Sequence, residues 1–248
     1  MTTLLETAGR RLRGRRILLV VAIVALAGVA AGGFGLWYIL IGTPGPAVAA
    51  PVIPAGVSVP APASTDGSWQ LNASLGSMSD FSSSWLGYRV QEQLAGVGGH
   101  TAVGRTPKVT GSLTLAGSTV SAVSITADLT VLASDSAQRD DQLRRQAIQT
   151  DTFPTATFVL TQSIALGSLP ADGTTVSATA TGDLTLHGVT KSVQISIQAQ
   201  RQGGIIAVAG SLPISFGDYG FQGPSSFAVV SVNDHGIMEL HLLFTHVR

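Results

Sequence analysis

The sequence predicts an all-β domain of about eight antiparallel strands with one short helix. Three observations carry this reading. First, residues 174–186 alternate without a break. Val176, Ala178, Ala180, Gly182, Leu184 and Leu186 fall on one face, and Thr175, Ser177, Thr179, Thr181, Asp183 and Thr185 on the other. A period of two marks a sheet with one buried face. Second, charged residues make up only 11% and Gly is 29 of 248, against roughly 25% and 7% in ordinary domains. Third, His187-Gly188 separates this run from a second alternating one, 189–200. A Gly able to take positive φ suits a two-residue hairpin there.

From the N-terminus, residues 1–16 carry Arg10, Arg11, Arg13, Arg15 and Arg16, with Glu6 the only acid. Residues 17–41 follow with no charge. As a helix these would run about 37 Å, enough to cross a bilayer core. The preceding arginines place residues 1–16 inside and the remainder outside the cytoplasmic membrane. Ala47-Val48-Ala49 offers a signal-peptidase pattern, but the apolar run far exceeds the ~7–15 residues of a signal segment, which favours a retained anchor. Residues 42–65 hold six of the eleven prolines and no charge, and read as an extended linker. Residues 66–248 form the domain. Its strand candidates are 84–92, 109–115, 119–129, 157–166, 174–186, 189–200, 205–214 and 237–245, with a short one near 69–71. Residues 138–148 read as the helix, Leu143 and Ala147 sharing a face, with Asp135, Asp140 and Asp141 at its start favoured by the helix dipole. A sandwich and a closed barrel both satisfy this pattern.

Several function classes are excluded by composition. There is no Cys, which removes disulfides, Cys-ligated zinc, iron–sulfur clusters and a thiol nucleophile. From Asp66 onward nine basic residues face thirteen acidic ones, a net of −4, and a nucleic-acid partner needs a basic face. No G-x-S-x-G, Walker, H-E-x-x-H or Rossmann motif occurs. No catalytic set and no metal site are expected. His235, Glu239 and His241 lie close in sequence but read as solvated polar residues on an outward face.

The residues 182–191 (GDLTLHGVTK) resemble the hairpin of YceI-like proteins. Arg139-Asp140 with Leu143, then Phe153-Pro154-x-Ala156-x-Phe158, resembles that family's central segment. Gly67-Ser68-Trp69, residues 84–90 and residues 109–113 resemble its opening strands, so the likeness spans 66–248. Two departures are visible: Trp85 and Tyr88 stand where a Phe is usual, and residues 215–221 lack the Arg of the family's closing motif. The few lysines, Lys108 and Lys191, fit a GC-rich, actinobacterial-type member.

The resemblance implies a lipocalin-like barrel holding an isoprenoid, quinone or other long apolar chain, without catalysis. An eight-stranded barrel is about the size that is either filled or holds one small ligand. Small inward residues, Ala178, Ala180 and Gly182, leave space mid-strand. The expected tunnel lining is Val123, Ile125, Phe158, Leu160, Val176, Ala178, Ala180, Leu184, Val193, Ile195, Leu240, Leu242 and Phe244. Tyr88 and Arg89 are the candidate head-group contacts. The expected partners are the membrane, through a single N-terminal anchor, and an apolar lipid; no other cofactor is expected. The rival reading is an interaction ectodomain with a filled barrel core and no ligand.

Overall fold

Residues 45–95, 98–223 and 229–247 are described in the computed structural model; the Arg-rich segment 1–16 and the apolar run 17–41 lie outside them. The strands are β1 (Gly67–Leu71), β2 (Trp85–Leu94), β3 (Gly98–Thr106), β4 (Val109–Ala116), β5 (Thr119–Asp128) and β6 (Ala133–Ser134). The helix α1 (Ala137–Gln142) follows. Then come β7 (Thr155–Leu160), β8 (Ile164–Ala165), β9 (Thr175–Leu186), β10 (Val189–Gln202), β11 (Ile205–Ser215), β12 (Val229–Val232) and β13 (His235–His246).

Pairing decides between sandwich and barrel. The order β1-β4-β5-β7-β9-β10-β11-β13 returns to β1 through Trp69↔His246 and Leu71↔Phe244, and every pair is antiparallel. Eight strands therefore close, which leaves no free edge in the ring. β1 covers only the end of β13; at the other end β2 pairs with β13 from Ile237↔Arg89 to His241↔Trp85, and β3 pairs with β2.

The 174–200 reading is realised as the β9–β10 hairpin, with Leu186 opposite Val189. His187 and Gly188 both have positive φ, +52° and +73°, as a tight hairpin with right-handed strand twist requires. The helix expected over 138–148 is split. α1 is six residues, capped by the Ser136 hydroxyl accepting the Arg139 N–H, and a π-helical turn, Leu143–Ala147, continues it. Asp135 and Asp140 are more than dipole partners. Asp135 pairs with Arg139, and Asp140 accepts from the Ser134 N–H and hydroxyl. The 157–166 candidate breaks into β7 and β8. β3, β6 and β12 lie outside the sequence expectation; β3 opens Gly-Gly-His-Thr, with no apolar alternation to read.

Residues 45–63 do not stand away from the barrel. They run along the outer face of β11 and β13. Pro51 and Pro54 are buried there, and Ile53, Val57 and Val59 pack on Ile205, Ala207 and Leu243. The Val59 carbonyl accepts from the Gly204 N–H at 2.8 Å. From Met238 to Phe244 β13 is thus buried on both faces, which is why this stretch reads as a nearly continuous apolar run. Among the described residues no helix is long and apolar enough to cross a membrane.

Candidate functional site

Inward-facing residues of the barrel enclose two chambers. The larger is a cavity of about 150 Å³ with an almost wholly apolar wall. Along β9 the inner face passes from part-exposed Val176 and Ala178 to buried Ala180, Leu184 and Leu186. β10 shows the same gradient from Ala199 and Ile197 to Ile195. The cavity therefore opens at the end where β9 starts, rimmed by Leu169, Pro170, Thr174, Gln200 and Arg201. The opposite end is closed by α1, its π turn, and the aromatic group Phe216, Tyr219 and Phe221, all buried.

A second chamber of about 80 Å³ lies at the closed end. It shares Leu86, Ala156 and Met238 with the first, so the two chambers adjoin across these side chains. Its lining mixes Leu143, Ala147, Ile148, Phe216 and Phe221 with three polar side chains, Tyr88, Glu92 and Arg139. The Arg139 Nη2 donates to Glu92 Oε1 at 2.6 Å, and Nη1 to Asp135 Oδ1 at 2.5 Å. His100 Nδ1 lies 3.1 Å from the same Glu92 oxygen. Burial opposes the Arg139 charge, but the hydrogen bond and the carboxylates outweigh it and hold its pKa up. Burial also pushes the Tyr88 phenol pKa up, so it remains a neutral hydroxyl.

Of the thirteen expected lining residues, Val123, Ile125, Phe158, Val176, Ala178, Ala180, Leu184, Ile195, Leu240, Leu242 and Phe244 line the larger chamber. Leu160 and Val193 do not: both are part-buried and pack against the core. Val193 sits where β10 and β11 diverge. Their ladder ends at Ser196↔Ser211, and Pro213, which has no N–H to give, lies just beyond. Gly182 does not leave open space, because the Phe158 ring fills the position its Cβ would occupy. Unforeseen members include Leu113, Leu115, Ile206 and Val208, whose own alternation was present in β4 and β11, and the rim residues, which no pattern marked.

Tyr88 and Arg89 cannot act together. Neighbours on a strand point to opposite faces: Tyr88 faces the second chamber, whereas Arg89 is outside. There Arg89 Nε donates to Glu239 Oε1 at 3.2 Å and Nη2 to the Gly45 carbonyl at 3.0 Å. Glu239 and His241 are outward as expected but not solvated, at 3% and 2% exposure. The segment 45–63 covers them. The Val48 N–H donates to Glu239, Arg105 donates to the Pro46 carbonyl, and His241 lies between the Ser83 carbonyl and Val52. The Arg105 guanidinium is sandwiched 4.0 Å from the Phe81 ring and 4.3 Å from Trp85. Among the described residues no group of three or more His, Asp or Glu could hold a metal ion.

A closed eight-stranded antiparallel barrel with an apolar interior cavity defines a lipocalin-like class of protein. The sequence profile of the YceI-like domain matches residues 72–244, and the chain belongs to that family. Among solved structures, a polyisoprenoid binding domain from Saccharophagus degradans implicated in plant cell wall breakdown is similar. It has a TM-score of 0.53 and 16% identity, over 74% of this chain and 100% of that one. Burkholderia cenocepacia BcnA is similar with a TM-score of 0.50 and 22% identity, over 64% of this chain and 95% of that one. Comparison with curated protein sequences gives no match.

Proposed function

We propose that this chain is a non-catalytic, extracytoplasmic lipid-binding barrel, an actinobacterial-type member held to the cytoplasmic membrane by residues 17–41. It sequesters or carries an isoprenoid, quinone or other long apolar chain. The observation that carries this reading is the one-ended apolar tunnel: a wall without polar groups along most of its length gains free energy by replacing water with hydrocarbon. The polyisoprenoid binding named for the Saccharophagus degradans relative supports the same ligand class. The larger chamber, at about 150 Å³, is below the ~300–1,000 Å³ of drug-sized pockets. A chain ending in at most one small ring, threading both chambers with the wall repacking around it, fits that volume better than a fused polycyclic ligand does.

The second reading is an interaction ectodomain with a filled core. The Phe158 ring lying over Gly182 favours it, since it removes space the sequence left open. One experiment separates the two. The full chain is purified from its own host, and native mass spectrometry is paired with solvent extraction of the same sample. A discrete extractable adduct of several hundred daltons is the expected result. A clean apo mass that persists after incubation with quinones and polyprenyl lipids overturns the carrier reading in favour of the filled barrel.

A further inference from the structure

The closed end of the tunnel holds a polar group that the fold does not use. The Tyr88 hydroxyl is buried and has no hydrogen-bond partner among the described residues. Its ring lies over Gly104, where any Cβ would collide with it, and it forms part of the second chamber's wall. Leaving a buried hydroxyl unpaired costs roughly 1–3 kcal/mol. Phe would fill the same place without that penalty. The neighbouring ion pair has a structural use, since Arg139 ties α1 to Glu92 of β2 across the barrel end. Tyr88 takes no part in that tie.

The charge around the chamber limits what the hydroxyl can serve. The Arg139 guanidinium already meets two carboxylates, Glu92 at 2.6 Å and Asp135 at 2.5 Å, and Asp140 is committed to Ser134. A phosphate placed here would face carboxylates, and among the described residues the chamber wall holds no Lys or Arg besides the paired Arg139, in surroundings where like charges are weakly screened. An uncharged oxygen meets no such opposition. The open end differs: the Arg201 Nε there has no partner among the described residues, although Arg201 Nη2 pairs with Asp172 at 2.6 Å.

We propose that the bound lipid enters polar end first and seats an uncharged oxygen acceptor, of the carbonyl or hydroxyl type, against the Tyr88 hydroxyl in the closed chamber. The tail then fills the apolar chamber toward the open rim. This rests on the tunnel reading above and specifies its ligand: a neutral-headed chain is selected over a phosphorylated one of equal length. The hydroxyl donates one hydrogen bond, and no covalent change occurs.

The test compares the delipidated full chain with its Tyr88→Phe variant. The probes are decyl-benzoquinone, decyl phosphate and tetradecane, each competed against a polyene fatty-acid fluorophore. The infrared carbonyl stretch of the bound quinone is recorded as well. The proposal expects the quinone to bind at least tenfold more tightly than decyl phosphate. Tyr88→Phe should weaken the quinone about tenfold, return its carbonyl stretch to the unbonded position, leave tetradecane unchanged, and not lower the melting temperature of the ligand-free chain. Equal quinone affinity and an unchanged carbonyl band in the variant overturn it. So does phosphate binding that is lost in Arg201→Gln, which puts the polar end at the open rim; both results leave the tunnel standing. Failure of all three probes overturns the tunnel reading and this proposal together.

Discussion

Ala180 is the small residue midway along the inner face of β9. It is 6% exposed, faces the larger chamber, and stands opposite Ile195. An indole at this position fills the space a chain would thread, at an overpacking cost of about 1–3 kcal/mol. Ala180→Trp should therefore fold with a modestly lower urea midpoint and lose at least nine-tenths of its co-purifying lipid, measured per chain by extraction. Thr179→Trp, on the exposed outer face, should keep both; equal retention in the two variants removes the tunnel. At His241 the prediction concerns pH. Burial holds its pKa below the usual value, partly opposed by the Ser83 and Val52 backbone. The unfolded chain then binds a proton near pH 6.5 that the folded chain refuses. The stability contribution is thus complete above that pH and is lost as pH falls toward the folded pKa, by no more than about 1.4 kcal/mol per pH unit. His241→Gln can keep an acceptor and a donor but does not titrate. Urea unfolding at pH 7.5 and pH 5.5 should show a smaller pH-dependent loss in the variant than in the parent.

At the scale of the element, the 45–63 segment and β13 act as a unit. Leu243 is fully buried although it points away from the tunnel, because Ile53, Val57 and Val59 cover that face. Leu243→Ala should cost about 2–5 kcal/mol, as for a core leucine, read from equilibrium unfolding of the full chain. A cost below 0.5 kcal/mol, typical of surface sites, would mean the segment does not stay docked in solution. The same element explains what the sequence could and could not disclose. The period of two placed Leu184, Ile195 and Leu242 on the inner face, and it placed Glu239 and His241 outside. Periodicity assigns a face but does not say what lies over it. The buried cluster of Arg89, Arg105, Glu239 and His241 depends on backbone groups of Gly45, Pro46, Val48 and Val52, about 40 to 190 residues away in sequence. A proline-rich, uncharged stretch reads as a spacer because nothing local marks its partner. The second chamber was hidden for a similar reason. Glu92 is an inward carboxylate on an otherwise apolar face, satisfied by Arg139 from α1 and accompanied by His100 from β3, and β3 carried no pattern to announce it.

At the scale of the whole molecule, the docked segment bears on whether the proposed anchor, residues 17–41, is retained. Cleavage after Ala49 would remove the Gly45 and Pro46 carbonyls and the Val48 N–H. These are partners of Arg89, Arg105 and Glu239, whose side chains are 16%, 5% and 4% exposed. Stripping partners from largely buried charged groups is costly, and this supports a chain that keeps residues 1–49. The proposed orientation rests on the arginines of residues 1–16, a charge bias that favours an inside N-terminus. Because the chain has no Cys, one introduced thiol is the only thiol, and each end can be tested separately. Ser177→Cys, on the exposed outer face of β9, should react with a membrane-impermeant maleimide in intact cells. Thr3→Cys should react only after lysis, and both should stay in the membrane fraction at the mass of the uncut chain. A Ser177→Cys signal that needs lysis would put the barrel in the cytoplasm. A soluble product lacking about fifty residues would make the apolar run a removed leader, and the barrel would then carry its lipid as a free exported domain.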